Sequence, residues 1–271
     1  MKWIALLAAA NFAAPAMAMD FATLMRDARA HHARMAQEVG GLKIIQSGSF
    51  TGPGGGASTL ESTMWRRGVK WRTDAVMAGA GGGKGGRLET TMLFDGADLW
   101  STAMGMTTKL PRAQAGSQGG AVYWSEPPPG STVSGSETVD GRACWVVEHP
   151  QPPPNPVMKV GRSRAWIDKA AFVYVRTESQ LSGRTVRTSF SDFRKVKGFE
   201  IPYSAIVTSD GKVTMTTRIT QVETGGRFPD DLFDPGKLPG AQAGGGADLD
   251  AAMKRAEEMK RKVEAMTKAQ K

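Results

Sequence analysis

The side chains best equipped for chemistry are few and scattered: three histidines, one cysteine and 15 methionines in 271 residues. His31 and His32 are adjacent. On a helix they point to different faces and do not make the i, i+4 pair of a helix-borne metal site. His149 adjoins a proline-rich stretch, and no base is positioned beside a nucleophile and a carboxylate as a Ser-His-Asp arrangement requires. Carboxylates are plentiful, but Asp95, Asp140 and Asp210 each precede glycine in the manner of turn residues, and no spacing sets an acid and base pair apart. The sequence predicts no catalytic residue, no metal site, no cofactor and no enzyme. Met104 and Met106 would put two thioethers on one face of a strand, which suits Cu(I). The dispersal of Met25, Met64, Met92 and Met215 through helix and strand patterns favours an adaptable greasy pocket instead. Gly81, Gly83 and Gly86 have dinucleotide-fingerprint spacing, yet Arg87 to Phe94 reads as a strand where a phosphate-binding turn needs a helix N-terminus. Cys144 lies in the apolar run Ala143 to Val147 and is expected to be a buried, inert thiol.

The elements that would position any site begin with a leader. Lys2, an apolar run from Trp3 to Ala14, Pro15 and Ala16 to Ala18 have the order of a secretory signal peptide, residues 1–18. The run is shorter than a membrane span of about 20 residues. The expectation is a periplasmic protein exported by a cleaved signal. The formal charge of +9 favours anionic lipid headgroups or acidic protein surfaces over nucleic acid, with general solubility as the plainer reading. After Asp20, a plausible cap, the apolar residues Phe21, Leu24, Met25, Ala28, Met35 and Val39 recur at helical spacing until Gly40 and Gly41.

From Leu42 to Val222 the period changes to two, with Leu60, Ser62 and Met64 alternating against Glu61, Thr63 and Trp65. Asp95-Gly96, Asp140-Gly141, Lys197-Gly198 and Asp210-Gly211 mark hairpins between adjacent antiparallel strands. About a dozen strands are expected, including Ala143 to Glu148, Val160 to Ile167, Phe172 to Glu178, Thr185 to Phe193 and Tyr203 to Thr208, with Pro202 at a strand edge or start. So many strands should curl. The fold class is therefore mainly β (α+β): a curved antiparallel sheet that curls into a barrel or part of one. A domain over residues 19–236 is followed by a Gly/Ala-rich linker, 237–247, and a charged amphipathic helix, 248–271.

The segments Trp100 to Thr108, Glu137 to Arg142, Trp145 to Glu148, Ala165 to Asp168, Val175 to Glu178, Phe190 to Arg194, Gly198 to Pro202 and Asp230 to Asp234 together resemble the outer-membrane lipoprotein-sorting proteins of the LolA/LolB-like superfamily. That resemblance implies an unclosed β-barrel whose helices cover a cavity for lipid or lipoprotein acyl chains, and no catalytic residues. The bulky apolar residues of alternating strands that would line it are Met64, Trp71, Met92, Phe94, Trp100, Trp145, Phe172, Tyr174, Phe190 and Met215, with Arg72, Arg176 and Arg187 at the rim to meet a headgroup. Expected partners are acyl cargo, an inner- or outer-membrane protein and transient contact with a membrane surface. The alternative is a structural or partner-binding periplasmic module with a permanently filled core.

Overall fold

The computed structural model describes residues 19–51, 56–79, 86–110, 126–151 and 160–240. The leader, the charged segment 248–271 and most of the glycine-rich and proline-rich loops expected from sequence lie outside the described residues.

Helix α1, Phe21–Val39, starts where Asp20 accepts the Thr23 amide through Oδ1 at 2.9 Å. It buries Leu24, Met25, Ala28, His32, Met35 and Val39, a stripe at spacings of three and four. Gly40, at φ +68°, ends it. The chain then passes so close to the exit of the last strand that a Cβ on Gly41 would lie 1.9 Å from the Gly226 carbonyl oxygen. Only glycine fits there, and the Gly226 amide donates to the Gly41 carbonyl at 3.2 Å.

Thirteen antiparallel strands follow: β1 Leu42–Thr51, β2 Ala57–Arg67, β3 Lys70–Gly79, β4 Arg87–Phe94, β5 Leu99–Ala103, β6 Met106–Leu110, β7 Thr132–Val139, β8 Arg142–His149, β9 Val160–Asp168, β10 Tyr174–Leu181, β11 Arg184–Val196, β12 Phe199–Ser209 and β13 Lys212–Thr224. They form one sheet in the order β6-β5-β4-β3-β2-β1-β13-β12-β11-β10-β9-β8-β7, unclosed between β6 and β7. Two sequential meanders are thus joined along one seam, β1 against β13. The unclosed sheet agrees with the sequence-based expectation, whereas α1 is the one α-helix among the described residues.

Helix α1 defines an inner face. Its buried stripe forms a cluster with Leu42, Ile44, Met64, Val147, Ala165, Ile167, Tyr174, Phe199, Ile201 and Ile219. The opposite face of β2 to β6 is crossed by residues 226–240. Arg67 Nη1 donates to the Phe228 carbonyl at 2.8 Å and Thr107 Oγ1 to the Pro239 carbonyl at 2.6 Å. Phe233 and Leu238 are buried along the way, so this strap includes residues 237–240, which the sequence assigns to a linker.

Four local expectations change. Phe172 precedes β10 in a turn, at φ +50°, rather than opening the strand. Pro202 lies inside β12, opposite Phe193 on β11. It is tolerated because the β13 ladder reaches only Ser204, leaving that flank of Pro202 without a partner strand. Asp95 serves a longer turn, its Oδ1 accepting the Ala97 and Asp98 amides at 2.8 Å. Met104 and Gly105, at φ +52° and +74°, are the two central residues of the β5–β6 hairpin, so Met104 does not share a strand face with Met106.

Candidate functional site

Cross-strand register assigns each expected lining residue to a face, because directly opposed residues of antiparallel strands project to the same side. Beyond the residues that pack with α1, an inner-face row runs Leu88, Met77, Leu60, Gly48, Thr217, Ala205 and Phe190 across β4, β3, β2, β1, β13, β12 and β11. Phe50, Met215 and Val207 form a parallel row one step along the strands. Apart from Leu60, the side chains of these rows are half-buried. Of these residues only Phe190 packs on the α1 cluster. The arrangement is a broad surface of methionine, leucine, phenylalanine and small residues, adaptable in shape and without a charged group.

Met64 and Tyr174 are buried in the α1 cluster, with Trp145, Phe172 and Phe190 packed against it. Trp71 and Phe94 oppose one another on the inner face with stacked rings 6.3 Å apart, and Met92 lies one position along the same side. Trp100 is the exception. It opposes Leu93, so it faces away from Phe94, and its Nε1 donates to Asp95 Oδ2 at 3.2 Å. The three arginines expected at the rim also lie on the outer face. Arg72 is held by Asp74 Oδ1 at 2.8 Å, Arg187 by Glu178 Oε2 at 2.7 Å, and Arg176 sits over the Trp166 ring, 3.8 Å from Asp140. Period-two alternation tells which residues share a side but not which side turns inward, so a Trp and an Arg of neighbouring strands were indistinguishable in sequence.

Between the C-terminal half of α1, the start of β1 and the β2–β3 turn lies a shallow open cleft with about 10 Å³ of room, lined by His32, Met35, Ala36, Val39, Gly40, Leu42, Arg66 and Gly68. That is space for about one water molecule, far below the roughly 300–1,000 Å³ usual for ligand pockets.

One Ser–His contact has no counterpart in the sequence reading. His149 Nδ1 lies 3.0 Å from Ser131 Oγ, which itself donates to the Pro128 carbonyl at 2.7 Å. With its only proton committed, Ser131 accepts from His149, and at 4% exposure it is shielded from any substrate. The pair ties the β7 entry to the β8 exit. Cys144 is fully buried, and burial pushes its thiol up to about 11. It is therefore expected to react with a water-soluble maleimide at least about a hundredfold more slowly than free cysteine at pH 8, becoming accessible only on unfolding. Labelling of the native protein within minutes would contradict that placement.

A family model described only as an uncharacterized protein matches residues 130–239, the span from β7 to the end of the strap. No curated protein matches. Among solved structures, a putative outer membrane lipoprotein-sorting protein domain from Vibrio parahaemolyticus aligns at 12% identity and TM-score 0.51, covering 78% of this chain and 94% of that one. A DUF1329 family protein from Desulfovibrio piger aligns at 13% identity and TM-score 0.51, covering 79% of this chain and 98% of that one. A LolA superfamily protein from Nitrosomonas europaea aligns at 15% identity and TM-score 0.47, covering 76% and 96%. The open 13-stranded sheet with a helix on its inner face is thus similar in fold to the putative outer membrane lipoprotein-sorting protein domain and to the DUF1329 family protein.

Proposed function

We propose that this protein is a periplasmic, non-enzymatic carrier that holds lipid or lipoprotein acyl chains against the inner face of its open sheet. The observation that carries the reading is the largely apolar row beside α1, Leu88 to Phe190, on a sheet that does not close. An apolar surface of that extent is kept in water only if something covers it. Each buried methylene gains about 0.8 kcal/mol, so about 15 of them supply roughly 12 kcal/mol before ordering costs. The leader-like residues 1–18 support export, and the fold shared with a lipoprotein-sorting domain supports the cargo class.

Native mass spectrometry of the protein purified from its own compartment, with solvent extraction of bound material, tests this directly. Stoichiometric acyl cargo is expected. The variant Ala205→Trp, which fills the row from the centre, should weaken uptake of a fluorescent fatty acid roughly tenfold, a loss of about 1.4 kcal/mol. An empty protein that takes up no fatty acid would remove the carrier reading. The second reading, a partner-binding module with a permanently filled core, is favoured by the six α1 side chains already buried against the sheet. It predicts neither cargo nor uptake.

A further inference from the structure

Helix α1 lies on the sheet through an apolar stripe with one ionisable member. His32 occupies the stripe between Ala28 and Met35 and is only 7% exposed. Its Nε2 lies 2.8 Å from the Phe172 carbonyl oxygen, so Nε2 carries a proton and donates it across the helix–sheet interface. Phe172 holds that carbonyl in place from a left-handed backbone conformation, φ +50°, which is costly for a bulky side chain. The neighbouring His31 ring packs on the Phe172 ring at 5.4 Å and on Phe199 at 5.3 Å. One turn of helix is thereby fastened to the β9–β10 turn by a hydrogen bond and a ring contact, and to the start of β12 by a second ring contact.

We propose that His32 is a proton-operated latch: its neutral form fastens α1 to the sheet, and its protonation releases the helix and uncovers the inner face. The charges around it all act against an imidazolium. Arg66 from β2 and His31 from α1 itself both disfavour a second positive charge there. In the turn that supplies Phe172, the Asp168 carboxylate is engaged by Arg142 and by the Ala170 and Ala171 amides, and Lys169 lies 3.9 Å over the Trp145 ring. Tyr174 of β10 is buried in the cluster beneath α1.

Burial is the largest cause that lowers the His32 imidazole from 6.5 to about 4, outweighing its hydrogen bond to Phe172. The released helix has the ordinary value, so it binds the proton more readily than the docked one. Docking therefore keeps its full strength above pH 6.5, weakens as pH falls toward 4 and levels off below that. At pH 5 the docking equilibrium is expected to be about 30-fold weaker than at pH 7.5. The latch does not depend on what occupies the inner face, and its test uses no lipid.

Hydrogen exchange of the full chain, corrected for intrinsic rates, should show α1 amides losing about 30-fold protection between pH 7.5 and pH 5, with β8 to β10 unchanged. His32→Gln, which keeps a donor but cannot titrate, should remove that response, and His31→Gln should retain it. Loss of α1 protection in His32→Gln equal to that of the native protein would overturn the latch, as would less than a threefold change in the native protein. Should His32→Gln fail to fold, an NMR titration of the imidazole in the native chain decides. A midpoint below about pH 5 supports the latch, and one near 6.5 refutes it.

Discussion

Replacing Asp168 with alanine is expected to cost about 3 kcal/mol of stability, the largest loss from a single polar side chain among the described residues. The carboxylate is 5% exposed and serves three donors: Arg142 Nε at 2.8 Å and the Ala170 and Ala171 amides at 2.8 and 2.7 Å. The turn into Phe172 is shaped by those two amide contacts. Arg142 in turn lies 4.2 Å over the Phe193 ring and also reaches Glu200 on β12. Removing Asp168 would leave a guanidinium over the cluster of Val139, Cys144, Val146, Trp166 and Val175 with one acidic partner instead of two. Glu200 and the partial exposure of Arg142 keep the cost at the lower end for a broken buried pair. Asp168→Asn retains an acceptor for the amides and should lose about half as much. The shift in urea midpoint, read by tryptophan fluorescence, measures both. A loss under about 1 kcal/mol for the alanine variant would mean that the turn holds without its carboxylate.

The Leu24→Ala substitution is expected to have a loss of similar size but different reach. Leu24 is fully buried beneath α1, and a truncation of that kind in a packed interface costs about 2–5 kcal/mol. If α1 docks as a separate unit, that loss falls on the helix alone. Protection of its amides should drop at least about 25-fold while the urea midpoint of the sheet stays nearly fixed. Uptake of fatty acid should rise in the same variant, because less free energy holds the cover down. A uniform loss of protection through β8 to β10 would show instead that helix and sheet unfold together, and that the inner face is permanently filled.

Much of this architecture is legible in the chain because local chemistry and global fold agree. Asp20, the apolar stripe and Gly40 specify α1 to within a residue, and Asp140-Gly141, Lys197-Gly198 and Asp210-Gly211 adopt the paired positive φ of tight hairpins. What could not be read depends on long-range partners. The orientation of Trp100 and of Arg72, Arg176 and Arg187 follows from strand register, and the tolerance of Pro202 from the length of a ladder formed by β13. The strap is invisible for a similar reason: residues 226–240 show no strong period, and their path is set by Arg67, Arg72 and Thr107. His32 is legible as a helix residue but not as a latch, since its acceptor is a backbone carbonyl 140 residues away.

The seam between β1 and β13 also sets the order of assembly. Each meander grows by pairing every new strand with the one just made, so most of the sheet closes through short loops. The seam instead joins residues such as Lys43 and Glu223, 180 positions apart along the chain. That loop must close late, and until it does β1 and β13 are raw edges able to pair with another molecule. A chain stopped before Lys212 would keep both meanders and lack the strand that joins them. It is the last strand that seals the inner pair of edges, leaving only β6 and β7 as rims of the sheet.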